Sequence, residues 1–227
     1  MAAVALVFLS LLFIVTHIGM SAEPFRSNMV KRLGELGFKG VYSLISILTL
    51  GGAILFFIHY RETLHESAPL WNMHPLWVFL ALILIFVSIP LVVFGLTQPS
   101  PTGMAQISYE PLGILLVTRH PVNIGIALFG LAHMLANPRL GDAALFGSLF
   151  IVGFFGAFHQ DARKTRTLGE QFASFKAKTS IIPLAAIVTK KNNFSLNDLS
   201  KPMLILCVLL YFGLMIFHKK LFGVSVF

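Results

Sequence analysis

Six apolar stretches recur along the chain, separated by shorter polar or basic segments: about Ala2–Met20, Phe38–Tyr60, Pro75–Leu96, Pro121–Asn137, Ala143–Gln160 and Met203–Phe217. A helix crosses a bilayer with about 20 apolar residues, and these stretches reach that length or come near it. The pattern predicts an all-α fold, a polytopic transmembrane helical bundle of about six spans. One integral-membrane domain, residues 1–227, accounts for the whole chain. Two prolines punctuate it. Pro121 suits the first turn of a helix, where its missing N–H costs nothing. Pro90 lies inside the third span and should kink it, which neighbouring helices accommodate. The first stretch has no Lys or Arg before Arg26, so it lacks the charged region of a signal peptide and reads as a retained span.

The basic residues give an orientation. With the N-terminus outside, the inner segments hold Arg26, Lys31, Arg32, Lys39, Arg119, Arg163, Lys164, Arg166, Lys176, Lys178, Lys190, Lys191 and Lys201. The outer segments hold Arg61, Arg139, Lys219 and Lys220. That bias predicts an N-out/C-out arrangement. The longest inner loop, 161–201, carries Leu168, Phe172 and Phe175 at helical spacing among Lys and Arg. Such a segment reads as an amphipathic interfacial helix, or more plainly as a connector helix docked on the protein.

Composition narrows the chemistry. The chain is 56% hydrophobic and 11% charged, which excludes a soluble globular enzyme and a disordered tail. The net charge of +8 follows from the inner loops, so the lipid bilayer, and no nucleic acid, is the expected partner. One cysteine, Cys207, rules out an intrachain disulfide and a Cys-based zinc or iron–sulfur site. There is no P-loop, dinucleotide fingerprint or zinc-protease motif. No Ser or Cys has a His partner at recognisable spacing for a nucleophile, and lipidation signals are missing. Eight histidines stand out against this background.

A polar side chain within a span is costly, which makes it a functional suspect. His17, His120 and His159, the last followed by Asp161, converge in depth toward the inner side. His59 and His133 lie toward the outer side, His65 and His74 in an outer loop, and His218 at the outer end of the last span. For a single interfacial histidine the plain reading is a ring at the headgroup boundary, but His133 falls within a span. Imidazole binds iron, copper and zinc. Without thiolates, histidine ligation inside a bundle points to haem. His120 and His133 stand about 20 Å apart along a straight helix and about 140° around it, so they do not share one iron. The His120 face continues through Asn123, Ala127, Gly130 and Met134. Its small residues admit a neighbouring helix, the plainer reason for them, or a flat cofactor.

Several segments, in order, resemble the NnrU family. They are Thr16 to Gly19, Arg26 with its basic loop, Gly40 to Ser46, Arg119-His120-Pro121, Ala132-His133, His159 to Arg163, and the tail from His218. The match covers nearly the whole chain. The resemblance implies a bacterial inner (plasma) membrane protein carrying haem b. Its associations would be with nitric oxide or nitrite reductase machinery in denitrification, or with a hydrophobic polyene substrate, since the family includes 15-cis-zeta-carotene isomerase, a haem-dependent redox isomerase. The axial ligands of that enzyme correspond to His17 and His133, the expected metal ligands here. Arg119, His120, Asn123, Gly130 and His159 are the expected cofactor-binding residues. Arg119 suits a haem propionate, and His120 is a substitute ligand. A cysteine proposed to take part in ligand switching in the isomerase falls at Gly130, a departure that counts against that switch and the isomerase activity.

A weaker resemblance links Arg119-His120-Pro121, Gly125 and the segment Leu168 to Phe175 to integral-membrane methyltransferases that use S-adenosylmethionine. Asn123, Asp161, Phe172 and Phe175 depart from the residues usual there. The alternatives are therefore such a methyltransferase, or a non-catalytic membrane assembly protein.

Overall fold

The computed structural model describes residues 1–103, 108–224 and 226. Among them the regular elements are helices: α1 (Ala2–Ser21), α2 (Phe25–His59), α3 (Arg61–His65), α4 (Pro75–Thr97), α5 (Ile114–Val117), α6 (Pro121–Ala136), α7 (Leu140–Lys178), α8 (Ala185–Val188) and α9 (Lys201–Phe222). The all-helical expectation holds. Five of them, α1, α2, α4, α7 and α9, are long and apolar enough to cross a membrane. The fourth expected span is α6, of 16 residues. At 1.5 Å per residue it measures about 24 Å, short of a hydrocarbon core of about 30 Å.

Two basic segments are continuous with apolar helices, each with a break at glycine; the one around Phe172 and Phe175 is helical as expected. In α2, Gly34 has φ 73, a left-handed conformation that a residue without Cβ adopts at little cost. The turn ahead of it carries Arg26, whose guanidinium bonds Glu35 at 2.6 Å and lies 5.2 Å from the centre of the Phe38 ring. In α7, Gly169 has φ 55. Beyond it, Phe172 and Phe175 are fully buried and pack on Leu115 of α5. The apolar side of the 161–178 segment is thus turned into the protein, as the docked-connector reading has it.

The chain forms two compact units, each assembled from separated segments: Met1–Ala81 with Phe129–His159, and Leu82–Leu128 with Gln160–Phe227. In the first unit, Leu6, Ala53, Leu64 and Leu145 form a buried core joining α1, α2, α3 and the start of α7. Burial of such side chains away from water contributes about 1.5–3 kcal/mol each in a soluble protein. In lipid the contribution comes from close packing instead. The outward faces are strongly apolar, with Ile47 67%, Leu55 68% and Phe8 66% exposed, as expected of surfaces that meet lipid. In the second unit, α4 and α6 cross closely. A Cβ on Gly125 would come within 2.7 Å of Val92 and 3.1 Å of the Ser88 carbonyl oxygen. Ser88 Oγ donates to the Gly125 carbonyl at 2.7 Å, and α4 remains one helix through Pro90.

Candidate functional site

The densest polar cluster lies in the second unit. After α5 the chain runs extended at Thr118, and Pro121 then starts α6. That short extended stretch lies beside residues 179–181. Arg119 N–H donates to the Ser180 carbonyl at 2.8 Å, and Thr118 Oγ1 donates to the Ile181 carbonyl at 2.7 Å. Arg119 turns inward and grips Asp161 of α7 with two bonds, Nε to Oδ1 at 2.6 Å and Nη2 to Oδ2 at 3.1 Å. Its Nη1 donates to the Thr179 carbonyl at 3.0 Å. The bidentate geometry is what the planar guanidinium favours. A Lys176 ammonium stands 3.5 Å from the same carboxylate.

His120 is fully enclosed, and both its ring nitrogens are committed. Nδ1 meets Gln160 Oε1 at 2.9 Å, and Nε2 meets Asp161 Oδ1 at 3.1 Å. Burial pushes its pKa below the ordinary value of 6.5, against the upward pull of the Asp161 carboxylate. Gln160 also donates to the Thr102 carbonyl at 3.3 Å, and Thr102 Oγ1 donates to the Arg119 carbonyl. Arg119 therefore already has a carboxylate, where a haem propionate was expected, and His120 has no nitrogen left over for a metal. The small pocket beside them is lined by Gly95, Ser100, Thr102, His120 and Asn123, among others, with a volume of about 10 Å³. That is room for a single water, so Asn123 lines a space far smaller than haem or S-adenosylmethionine.

The first unit holds both expected metal ligands. His17, near the end of α1, sits between Phe13 and Tyr42, with ring centres 5.3 and 4.9 Å away. Its Nδ1 is 3.0 Å from Ser46 Oγ, and Tyr42 Oη donates to its carbonyl at 3.3 Å. His133, near the end of α6, stacks on Phe146 at 4.5 Å and has Phe129 at 4.2 Å. Its Nδ1 lies 2.9 Å from the Phe129 carbonyl oxygen. A carbonyl can only accept, so that bond assigns the proton to Nδ1 and the lone pair to Nε2. A bond of this kind at one ring nitrogen also fixes the ring orientation of metal-binding histidines.

The two rings stand at different levels. His17 lies against Ser46 on α2, whereas the Phe146 that stacks on His133 neighbours Phe57, at 6.0 Å. Ser46 and Phe57 are separated by about 16 Å of helix. The donor set therefore fits one imidazole ligand at each place, and a single iron could take both only if those levels drew together. Among the described residues no group of three or more His, Cys, Asp or Glu could hold a metal ion.

Gly130 is used for packing. A Cβ there would lie 2.5 Å from the Phe146 carbonyl oxygen and 2.7 Å from Phe150 N. The backbone of α7 thus occupies the space, in place of the cofactor expected at Gly130. His159 is half-buried on α7, immediately before Gln160 and Asp161. Sequence reasoning missed Gln160, Thr102, Thr179 and Lys176 as partners of the Arg119–His120 pair. The signal available was the polar pair Gln160-Asp161 at the end of an apolar run. A further polar pair, His65 and Asp142, lies in the first unit with Nε2 and Oδ2 3.6 Å apart. His65 has its pKa lowered by partial burial and by Arg61 and Arg139.

The chain was compared with known proteins. No solved structure matches it significantly. It is 30% identical over 195 residues to the chloroplastic 15-cis-zeta-carotene isomerase of Arabidopsis thaliana, covering 81% of this chain and 50% of that one. The Zea mays isomerase is 29% identical over 191 residues, covering 82% and 50%. The chain thus spans about half the length of the curated relatives it matches. The model of the family described as NnrU protein matches residues 5–226. With a match over almost its full length, the chain belongs to the NnrU family.

Proposed function

We propose that this protein is a membrane-embedded, haem-b-dependent isomerase acting on a long hydrophobic polyene of the carotenoid class. The observation that carries this reading is the 30% identity to a zeta-carotene isomerase, sustained over 195 residues. The histidines of the first unit support it. His133 would hold the iron through Nε2, and its Nδ1–H donated to the Phe129 carbonyl fixes the ring and raises its basicity. Phe129 and Phe146 flank the imidazole. His17, held by Ser46, is the second ligand position, reached if the levels converge. The haem would supply a one-electron redox centre that weakens a polyene double bond while it rotates. Cis–trans isomerisation consumes no net electrons. A polyene without heteroatoms dissolves in the bilayer, and the apolar outer faces of α1 and α2 offer it lateral access. The protein would lie in the bacterial cell membrane, N-out and C-out by its basic residues.

The closed packing at Gly130 favours a second reading, in which the haem ligands do not switch and the protein supports nitrite or nitric oxide reduction. One experiment separates the two. The protein is expressed in dark-grown cells that accumulate 15-cis-zeta-carotene, and the isomers are resolved chromatographically. The isomerase reading expects loss of the 15-cis isomer, abolished by His133→Ala. An unchanged isomer ratio with haem-loaded protein would overturn it and leave the second reading.

A further inference from the structure

The segment after α7 returns to the start of α6 and is tied there. Leu184 N–H donates to the Val117 carbonyl at 2.9 Å. Asn192 Nδ2 donates to the Leu116 carbonyl at 3.2 Å and to the Lys178 carbonyl at 2.7 Å. With the Thr118–Ile181 and Arg119–Ser180 bonds, this places residues 180–184 level with residues 116–119. Those residues precede the apolar helix α6, so the tied segment stands at the height where an apolar helix begins.

The same segment turns large apolar side chains outward. Ile182 is 48% exposed, Leu184 52% and Val188 78%. Leu184 takes φ 66 and Lys190 φ 56, so a left-handed residue stands on each side of the short helix α8. For a residue with a side chain that conformation is strained. It persists only where surrounding bonds enforce it, and it often marks a functional surface. Lys190 and Lys191 follow directly and are exposed. Outward apolar groups capped by adjacent lysines suit a surface that is apolar below and anionic above.

We propose that residues 182–191 form an interfacial anchor. Ile182, Leu184 and Val188 would enter the acyl boundary of the bilayer, while Lys190 and Lys191 meet anionic lipid headgroups. The interfacial element that the sequence pattern led us to expect around Phe172 and Phe175 thus lies instead in the tied segment that follows. The proposal does not depend on the haem reading.

The test uses the full chain with Cys207→Ser. A nitroxide is attached through Val188→Cys, or through Asn193→Cys as an exposed comparison, and the protein is reconstituted into vesicles. Collision with dissolved oxygen and with a water-soluble nickel chelate reports depth. In phosphatidylcholine vesicles containing phosphatidylglycerol, the label at 188 should favour oxygen and lie about 5–10 Å below the headgroups, while that at 193 favours nickel. Pure phosphatidylcholine, or Lys190→Gln with Lys191→Gln, should shift the label at 188 toward water. Equal nickel access at 188 and 193 would overturn the proposal. So would a depth unaffected by lipid charge and lysine replacement, or an immobilised label in detergent, the sign of a protein partner.

Discussion

His120 in the second unit and the two expected ligands in the first are held in different ways. In the second, His120 is sealed off and both ring nitrogens are spent, one on Gln160 and one on Asp161. In the first, His17 and His133 are each held through Nδ1, by Ser46 and by the Phe129 carbonyl, among aromatic rings. A ring with two satisfied nitrogens in a charged network joins chain segments. A ring fixed at one nitrogen among aromatic side chains has its orientation set without a charged network. The sequence neighbourhood does not reveal this difference, because Arg119-His120-Pro121 is the more motif-like of the two. The partners decide it.

Replacing Asp161 should have the largest effect. Asp161→Ala leaves Arg119 buried without its carboxylate, and removing one partner of a buried pair costs about 3–5 kcal/mol. Thermal unfolding in detergent should show that loss. A change below about 1 kcal/mol, the range of exposed pairs, would mean that the network is solvated and the contrast between the units false. Gly130→Ala comes next. With α7 backbone at 2.5 Å from the new Cβ, overpacking should cost about 1–3 kcal/mol. Gly130→Cys should destabilise at least as much and confer no ligand switching.

Acidification sharpens the comparison further. The folded-state pKa values of His120 and His65 are lowered from 6.5. Below that value the unfolded chain binds more protons than the folded one, so stability is complete above pH 6.5 and falls as the pH drops. Unfolding midpoints recorded against pH should show this decline, and His120→Gln should flatten part of it. A His120→Gln variant that loses stability on acidification as steeply as the unaltered protein would contradict the assignment. The smallest effect belongs to Ser46→Ala. Loss of one hydrogen bond should cost about 0.5–1.5 kcal/mol, and the absorption spectrum should report it only if His17 approaches the iron.

The all-helical class and the position of nearly every span were legible in the apolar pattern, because each helix must cover its own length in apolar side chains. The helical spacing of Leu168, Phe172 and Phe175 was legible too, but its continuity with the preceding span in α7 was not. What that helix docks on, Leu115, is set by tertiary packing that the local pattern does not encode. Arg119 and His120 were legible as polar residues at the mouth of a span. Their partner Thr179 was not, since it contributes a backbone carbonyl that no side-chain pattern encodes. The separation in level between His17 and His133 was partly legible, as helix arithmetic already put them toward opposite sides. Gly130 looked like one of several small residues, and the crossing of α6 on α7 gives it a specific reason.

The central proposal is that His133 would hold haem and His120 would not. It is tested most directly by the oxidised and reduced absorption spectra of purified protein, expressed with ample haem, beside His133→Ala and His120→Gln. The account predicts a Soret band and sharp reduced bands in the unaltered protein, their loss in His133→Ala, and their retention in folded His120→Gln. A spectrum intact in His133→Ala but lost in folded His120→Gln would contradict it.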